Sequence, residues 1–224
     1  VEPLFKNISF QVEQGWTGIR GANGSGKTTL LKLLVGNLEP TSGTKNTPGT
    51  CYYAEQRTDF KPLGFDNFIT STEKLAYKIK DSLQINNVWQ HKWDKLSHGE
   101  RKRCQIAVAL YNEPLVLAID EPSNHLDYRS KQVLLNALKS FNGIGLLVSH
   151  DRELMDSLCK RTIFINLPQI DVRKCGYSIA AMEIEREEKN RFDELELAKR
   201  EVKKLKRKVD KQKNKAGKAD KLKS

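Results

Sequence analysis

The sequence predicts an α/β domain with a mostly parallel sheet, followed by one long charged helix. Three observations support this. A strand, a glycine-rich loop and a helix follow one another across residues 16–35. Two continuous apolar runs, 115–119 and 144–148, have the character of strands buried on both faces. Strand and helix patterns alternate between these features, which is typical of open α/β sheets with a ligand at the carboxyl edge.

The first part of the chain carries two strand patterns and one helix pattern. Residues 4–12 alternate between apolar and polar side chains, which predicts a strand leading into Gly15. Residues 16–20 predict a second strand, which runs directly into the glycine-rich loop. Residues 30–35 are mostly apolar and predict a helix that ends near Gly36.

The glycine-rich loop between that strand and that helix has the composition of a phosphate-binding loop. Glycines let backbone N–H groups approach a phosphate closely, and the helix adds the positive end of its dipole. The ammonium of Lys27 can reach the β- and γ-phosphates, and the hydroxyl of Thr28 can ligate Mg²⁺. The residues predicted to bind the nucleotide here are Gly21, Asn23, Gly24, Ser25, Gly26, Lys27, Thr28 and Thr29.

The middle of the chain predicts a small helical insertion between two sheet strands. Residues 51–54 are typical of a short strand, and Gln56 follows its end. Residues 65–95 are mixed and polar, with apolar side chains at helical spacing, which predicts helices there. An amphipathic helix is expected to open within residues 96–100 and to run to Leu110.

The two apolar strands each end on residues suited to catalysis. Asp120 and Glu121 close the first, where Asp120 can hold Mg²⁺ and Glu121 can orient or deprotonate a water. A helix is predicted for residues 130–140, and the second strand ends next to His150. Two further short segments, 162–165 and 170–172, are predicted to be edge strands.

Charge divides the chain into two parts. The 224 residues carry a net charge of +11, of which residues 199–224 contribute +10 through 13 Lys/Arg against 3 Asp/Glu. The other 198 residues have a balance of +1. Mean hydropathy is -0.60, and no run approaches the length of a membrane span. The four cysteines lack metal-type spacing, so we expect free thiols and a cytoplasmic protein.

The basic tail has a coiled-coil pattern. Leu195, Val202 and Val209 recur every seven residues, with Ala198 and Leu205 between them. This narrow apolar stripe predicts a helix that packs against a partner helix. The alternative is a solvated charged helix that serves only as a tether.

Taken in order, these motifs resemble the nucleotide-binding domain of ATP-binding cassette (ABC) proteins over about residues 1–176. The segment 121–127 is similar to the Glu-Pro-Thr-Asn-His-Leu-Asp of the ABC-F branch, and Glu100 stands where transporters usually have Gln. The resemblance implies a P-loop NTPase fold of ABC type, with a small helical subdomain at about residues 57–114. It also implies that an N-terminal strand and the adenine-stacking loop lie upstream of Val1.

The resemblance further implies ATP and Mg²⁺ as ligands and assigns roles to the motif residues. Gln56 would contact Mg²⁺ and the attacking water, and His150 would hydrogen-bond the γ-phosphate near Glu121. Ser97 and Gly99 would bind the γ-phosphate of a nucleotide held by a second cassette, in the same full-length chain or in a dimer. Residues 123–127 would cross the interface between the two cassettes.

For residues 177–224 the resemblance implies the first half of a coiled-coil hairpin between two cassettes, which would contact RNA on the ribosome. The expected function is therefore ATP hydrolysis by an ABC-F protein acting in translation, with antibiotic resistance by ribosome protection as one form of it. Two alternatives stay open. One is the ATP-binding subunit of a membrane transporter, and the other is a nucleotide-gated binding module with little hydrolysis. His98, in place of the glycine of the commoner signature motif, favours the second.

Overall fold

The computed structural model describes residues 3–47 and 49–220, and for residues 207–220 it describes the backbone alone. The chain divides into two compact units, Val1–Ala180 and Ala181–Ser224.

The first unit is built on one six-stranded sheet. In chain order the strands are β1 (Gly15–Gly21), β2 (Cys51–Ala54), β3 (Val116–Asp120), β4 (Ile144–Val148), β5 (Cys159–Asn166) and β6 (Gln169–Arg173). Their spatial order is β2-β3-β4-β1-β5-β6. Neighbours pair in parallel from β2 to β5, and β6 is antiparallel to β5. The predicted fold class, a mostly parallel α/β sheet, is confirmed.

Helices surround this sheet and fill the insertion after β2. They are α1 (Lys27–Val35), α2 (Phe65–Thr70), α3 (Lys74–Ser82), α4 (His98–Tyr111), α5 (Tyr128–Lys139) and α6 (Arg152–Leu158), with 3₁₀ turns at Asn87–His91 and Trp93–Lys95. Helix α1 packs on the central strands, α3 packs on α4, and α5 packs on α6. The core beneath α1 is fully apolar and includes Ile19, Leu30, Leu31, Ala118, Leu146, Val148 and Ile163. The parallel strands therefore all direct their carboxyl ends toward the loop before α1.

Two predictions about elements need correction, and the sequence pattern gave no sign of one helix. Residues 4–12 are not a strand, because none of the described strands pairs with them, although Ile8, Phe10 and Val12 do pack against the core. The β5 segment is longer than predicted and is not an edge strand, since it lies between β1 and β6. Helix α6 was not predicted at all.

The second unit is helical. Helix α7 (Tyr177–Asp220) begins within the first unit and continues through the described part of the second. Its apolar side chains Leu195, Val202 and Leu205 are each more than half exposed. The side chain of Val209, the next member of the predicted stripe, lies outside the described residues. Among the residues that the structure describes, no helix is long and apolar enough to cross a membrane.

Candidate functional site

The loop between β1 and α1 encloses the ammonium group of a lysine. Gly24 and Gly26 have φ angles of 78° and 87°, a left-handed backbone that glycine adopts without strain. Lys27 Nζ donates hydrogen bonds to the carbonyl oxygens of Gly21 (3.1 Å) and Ala22 (3.0 Å). The sequence thus folds the loop back over its own lysine, at the carboxyl end of the sheet.

The start of α1 has the features of an anion site. Gly26 is the N-cap and has no side chain to cap the helix, and the first turn carries no acidic residue. The first backbone N–H groups of any helix lack intrahelical acceptors, so those of Lys27, Thr28 and Thr29 are available to an anion. Ser25 Oγ is buried and has no hydrogen-bond partner among the described residues. Together with the lysine, this arrangement fits a bound polyphosphate.

Three hydroxyl and carboxylate groups from different elements meet beside that helix start. Thr28 Oγ1 donates to Asp120 Oδ2 at 2.6 Å, and Tyr53 Oη donates to the same oxygen at 3.2 Å. Burial, assisted by the negative charge of Asp120, raises the pKa of Tyr53, so its hydroxyl stays protonated and donates. Oxygen ligands of this kind suit Mg²⁺. Thr28 and Asp120 therefore fit the metal of a nucleotide complex.

Glu121 has an unusual backbone conformation directly after β3. Its φ is 46°, the left-handed region that non-glycine residues rarely adopt, and its backbone N–H donates to the Val148 carbonyl oxygen at 2.8 Å. Strain of this size persists where the surroundings impose it, often at functional sites. The side chain is only 7% exposed. Burial is the main cause that raises the pKa of Glu121 above its usual range.

The Glu121 carboxylate faces the end of β4. Its Oε2 accepts a hydrogen bond from the backbone N–H of His150 at 3.1 Å. Its Oε1 lies 3.4 Å from Nε2 of the His150 ring, close enough for an ion pair and too long for a strong hydrogen bond. Ser149 Oγ lies 3.2 Å from Ser123 Oγ, which joins the β4 end to the loop after Glu121. The predicted catalytic residues Glu121 and His150 are therefore neighbours.

The predicted signature residues lie at the start of α4. Ser97 is the N-cap, and its Oγ accepts from the Glu100 N–H at 3.3 Å while its own N–H donates to Glu100 Oε2 at 2.8 Å. This reciprocal pair is a capping box, which fixes the helix start. A Cβ on Gly99 would lie 3.0 Å from Leu126 Cδ2, so a larger residue there would press on the loop 123–127.

His98 occupies the position between those two residues. Its ring meets the ring of His125 edge to face, with centroids 5.2 Å apart. Burial lowers the pKa of His98, and the positive charge of Lys102 acts in the same direction. His98 Nδ1 is buried without a hydrogen-bond partner in the described part of the chain. The ring is therefore neutral at pH 7 and fills space that a glycine would leave open.

The structure brings some predicted site residues together and leaves others apart. Within the described residues, no hydrogen bond joins Ser97 or Gly99 to the phosphate loop or to Glu121. Gln56 is exposed, and in the described part of the chain its side chain makes no hydrogen bond to Asp120. The predicted site residues thus fall into a group around Lys27 and a second group at the start of α4, and the second group contacts the loop 123–127 through Leu126 and His125.

Lys102 is a residue that the sequence analysis missed. It is fully buried on α4, and its Nζ donates to the carbonyl oxygens of Glu55 (2.7 Å) and Gln56 (3.0 Å) and to Gln105 Oε1 (2.7 Å). Burial lowers its pKa to about 8. Its spacing of one helical turn from the buried Ile106 is a signal that could have placed it on the inner face.

Two further residues of the site were also missed. Tyr53 is next to last in β2, beside the strand that ends on Asp120, and that position could have indicated its contact. Arg20 is the charged residue of β1 and lies directly before the phosphate loop. Its Nη1 donates to the Ser149 carbonyl oxygen at 2.9 Å, across the carboxyl edge of the sheet.

Comparison with known proteins identifies the family. The family model described as ABC transporter matches residues 5–124. A solved ABC transporter of metal-chelate type, in an inward-facing conformation, superimposes with a TM-score of 0.62 at 20% identity, covering 78% of this chain and 79% of that chain. At that identity the likeness shows the fold alone.

Curated relatives align over most of this chain. The ribosome protection protein VmlR of Bacillus subtilis (strain 168) is 34% identical over 163 residues, which is 69% of this chain and 27% of VmlR. Protein GCN20 of Saccharomyces cerevisiae is 34% identical over 169 residues, which is 70% of this chain and 22% of GCN20. The chain therefore spans about a quarter of the length of these relatives.

Proposed function

The chain belongs to the ABC transporter family of ATP-binding domains, in the ABC-F branch that its motifs indicate, and on this premise we propose that it binds and hydrolyses Mg²⁺-ATP in a site completed by a second cassette. The observation that carries the proposal is that the predicted nucleotide-contacting residues form two groups, here called half-sites, at the starts of two different helices, with no hydrogen bond between the groups in the described part of the chain. Lys27 and Glu121 form one, and Ser97 with Gly99 forms the other at a helix start of its own. Two such cassettes facing each other would complete two sites.

Each residue of the first half-site has a role that its surroundings support. Lys27 and the N-terminus of α1 bind the phosphates, and Thr28 with Asp120 holds the metal. Bound ATP supplies the phosphoanhydride bond that is hydrolysed. Glu121 orients the attacking water or takes its proton, because its buried, raised-pKa carboxylate is suited to general-base work.

Two further residues would complete the water-activating group. His150 stands beside the Glu121 carboxylate and hydrogen-bonds the terminal phosphate. Gln56 would reach the metal and the water only after its loop moves, since its side chain is exposed here. Lys102 holds the backbone of that loop from α4, so a shift of α4 would carry the loop with it.

We assign residues 1–176 to the cassette and residues 177–224 to a basic linker helix that contacts RNA on the ribosome. Two observations support this assignment. The relative VmlR is a ribosome protection protein by name. The exposed apolar stripe of Leu195, Val202 and Leu205 on α7 needs a partner helix, as the first arm of a hairpin would.

Cosedimentation of the full-length protein with ribosomes tests the proposal. We expect ATP to strengthen binding and Lys27→Ala to reduce it to the level seen without ATP, with Lys139→Ala, which changes an exposed lysine on α5, as the matched control. Binding that is equal with and without ATP would contradict a nucleotide-driven ribosome factor. Recovery in the membrane fraction instead would favour a transporter subunit.

His98 supports a second candidate function. Its neutral ring stands between the two signature residues, where it narrows the approach to a phosphate held by the facing cassette. If this ring slows hydrolysis, the chain would be a nucleotide-gated binding module with little ATP turnover. ATP-dependent ribosome binding, with turnover in the wild type no faster than in Glu121→Gln, would establish this alternative.

A further inference from the structure

Arg20 occupies a position that the proposed chemistry does not explain. It lies at the end of β1, one residue before the phosphate loop, and it is half-buried. Its guanidinium contacts the end of β4 on one side and an aromatic ring from the first turn of α7 on the other. Both contacts lie within the unit that ends at Ala180.

The contact with β4 reaches the ring of His150. Arg20 Nη1 lies 3.0 Å from His150 Nδ1, and it also donates to the Ser149 carbonyl oxygen. A guanidinium has no hydrogen-bond acceptor, so Nδ1 must accept, and the proton of the neutral ring must be on Nε2. Nε2 is the ring nitrogen that faces Glu121. Arg20 thus selects the tautomer that presents an N–H toward the catalytic side.

The second contact reaches Tyr177, the first residue of α7. Arg20 and Phe164 are register partners in the neighbouring strands β1 and β5. The Tyr177 ring stacks on Phe164 with centroids 6.1 Å apart, and the Arg20 guanidinium lies 5.2 Å from the centre of the Tyr177 ring. Tyr177 is 8% exposed, so this cation–π contact is largely shielded from water.

The first turn of α7 is also fastened by hydrogen bonds. The Ser178 N–H donates to Asp156 Oδ1 at 2.8 Å, and Ser178 Oγ donates to Asp156 Oδ2 at 2.5 Å. Ala180 is fully buried. The Arg20 guanidinium therefore contacts the Tyr177 ring, and the packing of the first turn of α7 determines where that ring lies.

We propose that Arg20 is a positioning residue that makes the orientation of the His150 ring depend on the seating of the first turn of α7. When Tyr177 is in place, Arg20 is held against His150 Nδ1. When Tyr177 leaves, the guanidinium loses its support and the imidazole loses its fixed tautomer. A movement of the linker helix would then alter the group that hydrogen-bonds the terminal phosphate, which rests on the function proposed above.

The tautomer of His150 gives a test that does not depend on activity. We would record long-range ¹H–¹⁵N spectra of ¹⁵N-histidine-labelled full-length protein without nucleotide, with His150 assigned by its loss in His150→Gln. The wild type should show the Nε2–H tautomer. Arg20→Met should shift the Nδ1 and Nε2 signals toward the average of the two tautomers, whereas Arg186→Met, which removes an exposed arginine of α7, should not.

The link to α7 is tested by a double-mutant comparison in the same spectra. Tyr177→Leu should move the His150 signals when Arg20 is present and leave them unchanged in the Arg20→Met background. Tyr177→Phe keeps the aromatic ring and should resemble the wild type. If Tyr177→Leu has the same effect in both backgrounds, or none in either, the proposal is overturned. Arg20→Lys, which keeps the charge and a donor without the planar face, serves if Arg20→Met does not fold.

Kinetics of the full-length protein add a second readout. We expect Arg20→Met to lower kcat for ATP by about five- to tenfold, the effect of losing one orienting hydrogen bond, with KM changed by less than about twofold. Equal kcat for Arg20→Met and wild type would overturn the proposal. A wild type without hydrolysis would instead contradict the proposed function, and the spectra would still decide whether Arg20 orients His150.

Discussion

The two parts of this chain use the same amino acid in opposite ways. In the cassette, Lys102 is fully buried and Lys80 is 7% exposed, and both donate hydrogen bonds to backbone carbonyl oxygens. On α7, Lys203, Lys204 and Lys206 are all exposed. These two cassette lysines are internal hydrogen-bond donors, whereas the three lysines on α7 are exposed and available to a ligand. Net charge alone does not show this difference, because it counts buried and exposed charges alike.

Apolar side chains show the same contrast. Leu134 and Leu138 of α5 are fully buried in the cassette, whereas Leu195 and Leu205 of α7 are more than half exposed. The cassette completes its own core, and the helix needs a partner for its apolar stripe. We therefore expect the two parts to fail separately: nucleotide chemistry should depend on cassette residues, and RNA affinity on α7.

The largest difference between an effect on nucleotide chemistry and an effect on RNA affinity is expected from Glu121→Gln. The amide keeps the size of the side chain and removes the carboxylate that activates water, so ATP turnover by the full-length protein should fall by about a hundredfold or more. ATP binding and RNA affinity should remain. Steady-state hydrolysis, with the second cassette's site also disabled, measures the first effect. Near wild-type turnover would exclude Glu121 as the general base.

The converse change is to end the chain after Leu197, which removes the +10 segment. Each phosphate neutralised contributes about 0.7–0.9 to the log–log salt slope, so about five contacts predict a fall in RNA affinity of at least about a hundredfold between 50 and 200 mM salt. The shortened chain should lose this binding and keep its nucleotide affinity. Salt titrations of RNA binding for both proteins check it. Equal affinities, or a flat salt response, would mean that the basic helix is only a tether.

Much of the fold could be predicted because the buried strands are nearly continuous apolar runs. Residues 115–119 and 144–148 predict β3 and β4 almost to their ends. Residues 4–12 show the limit of such patterns. Their alternation correctly separates core-facing Ile8, Phe10 and Val12 from exposed neighbours. A strand also needs a hydrogen-bonded neighbour, however, and periodicity within one segment contains no information about pairing.

The site divides in the same way. Asp120 and Glu121 could be predicted because they follow an apolar strand directly, and Lys27 because it follows a glycine-rich loop at the start of a helix. Arg20, Tyr53 and Lys102 make most of their contacts with segments far apart in the chain, and the local pattern around each residue does not identify those partners. Lysine is also rarely buried, because its ammonium group then needs hydrogen-bond acceptors inside the protein. The acceptors of Lys102 come together only in the folded chain.

The smallest expected effect is on stability, and it compares the buried Lys102 with an exposed lysine of α7. Lys102→Met keeps the volume of the side chain and removes the donor shared by Glu55, Gln56 and Gln105. Leaving these acceptors unpaired should lower the free energy of unfolding by about 2 kcal/mol at pH 7, partly offset because no charge is then buried. Lys203→Met, the matched change on α7, should alter it by less than about 0.5 kcal/mol. Denaturant unfolding monitored by circular dichroism measures both.

The pH dependence of the same pair of proteins identifies the cause. Burial lowers the pKa of Lys102 to about 8 in the folded state, from 10.5, so between these values the unfolded chain binds more protons and wild-type stability should rise with pH. The gain over Lys102→Met should reach about 3 kcal/mol across that window. Cys104 and Cys159, whose pKa values burial raises to about 12, act in the opposite direction in both proteins and cancel in the difference. A difference that stays constant from pH 7 to pH 10 would mean that the buried ammonium does not titrate as its surroundings require.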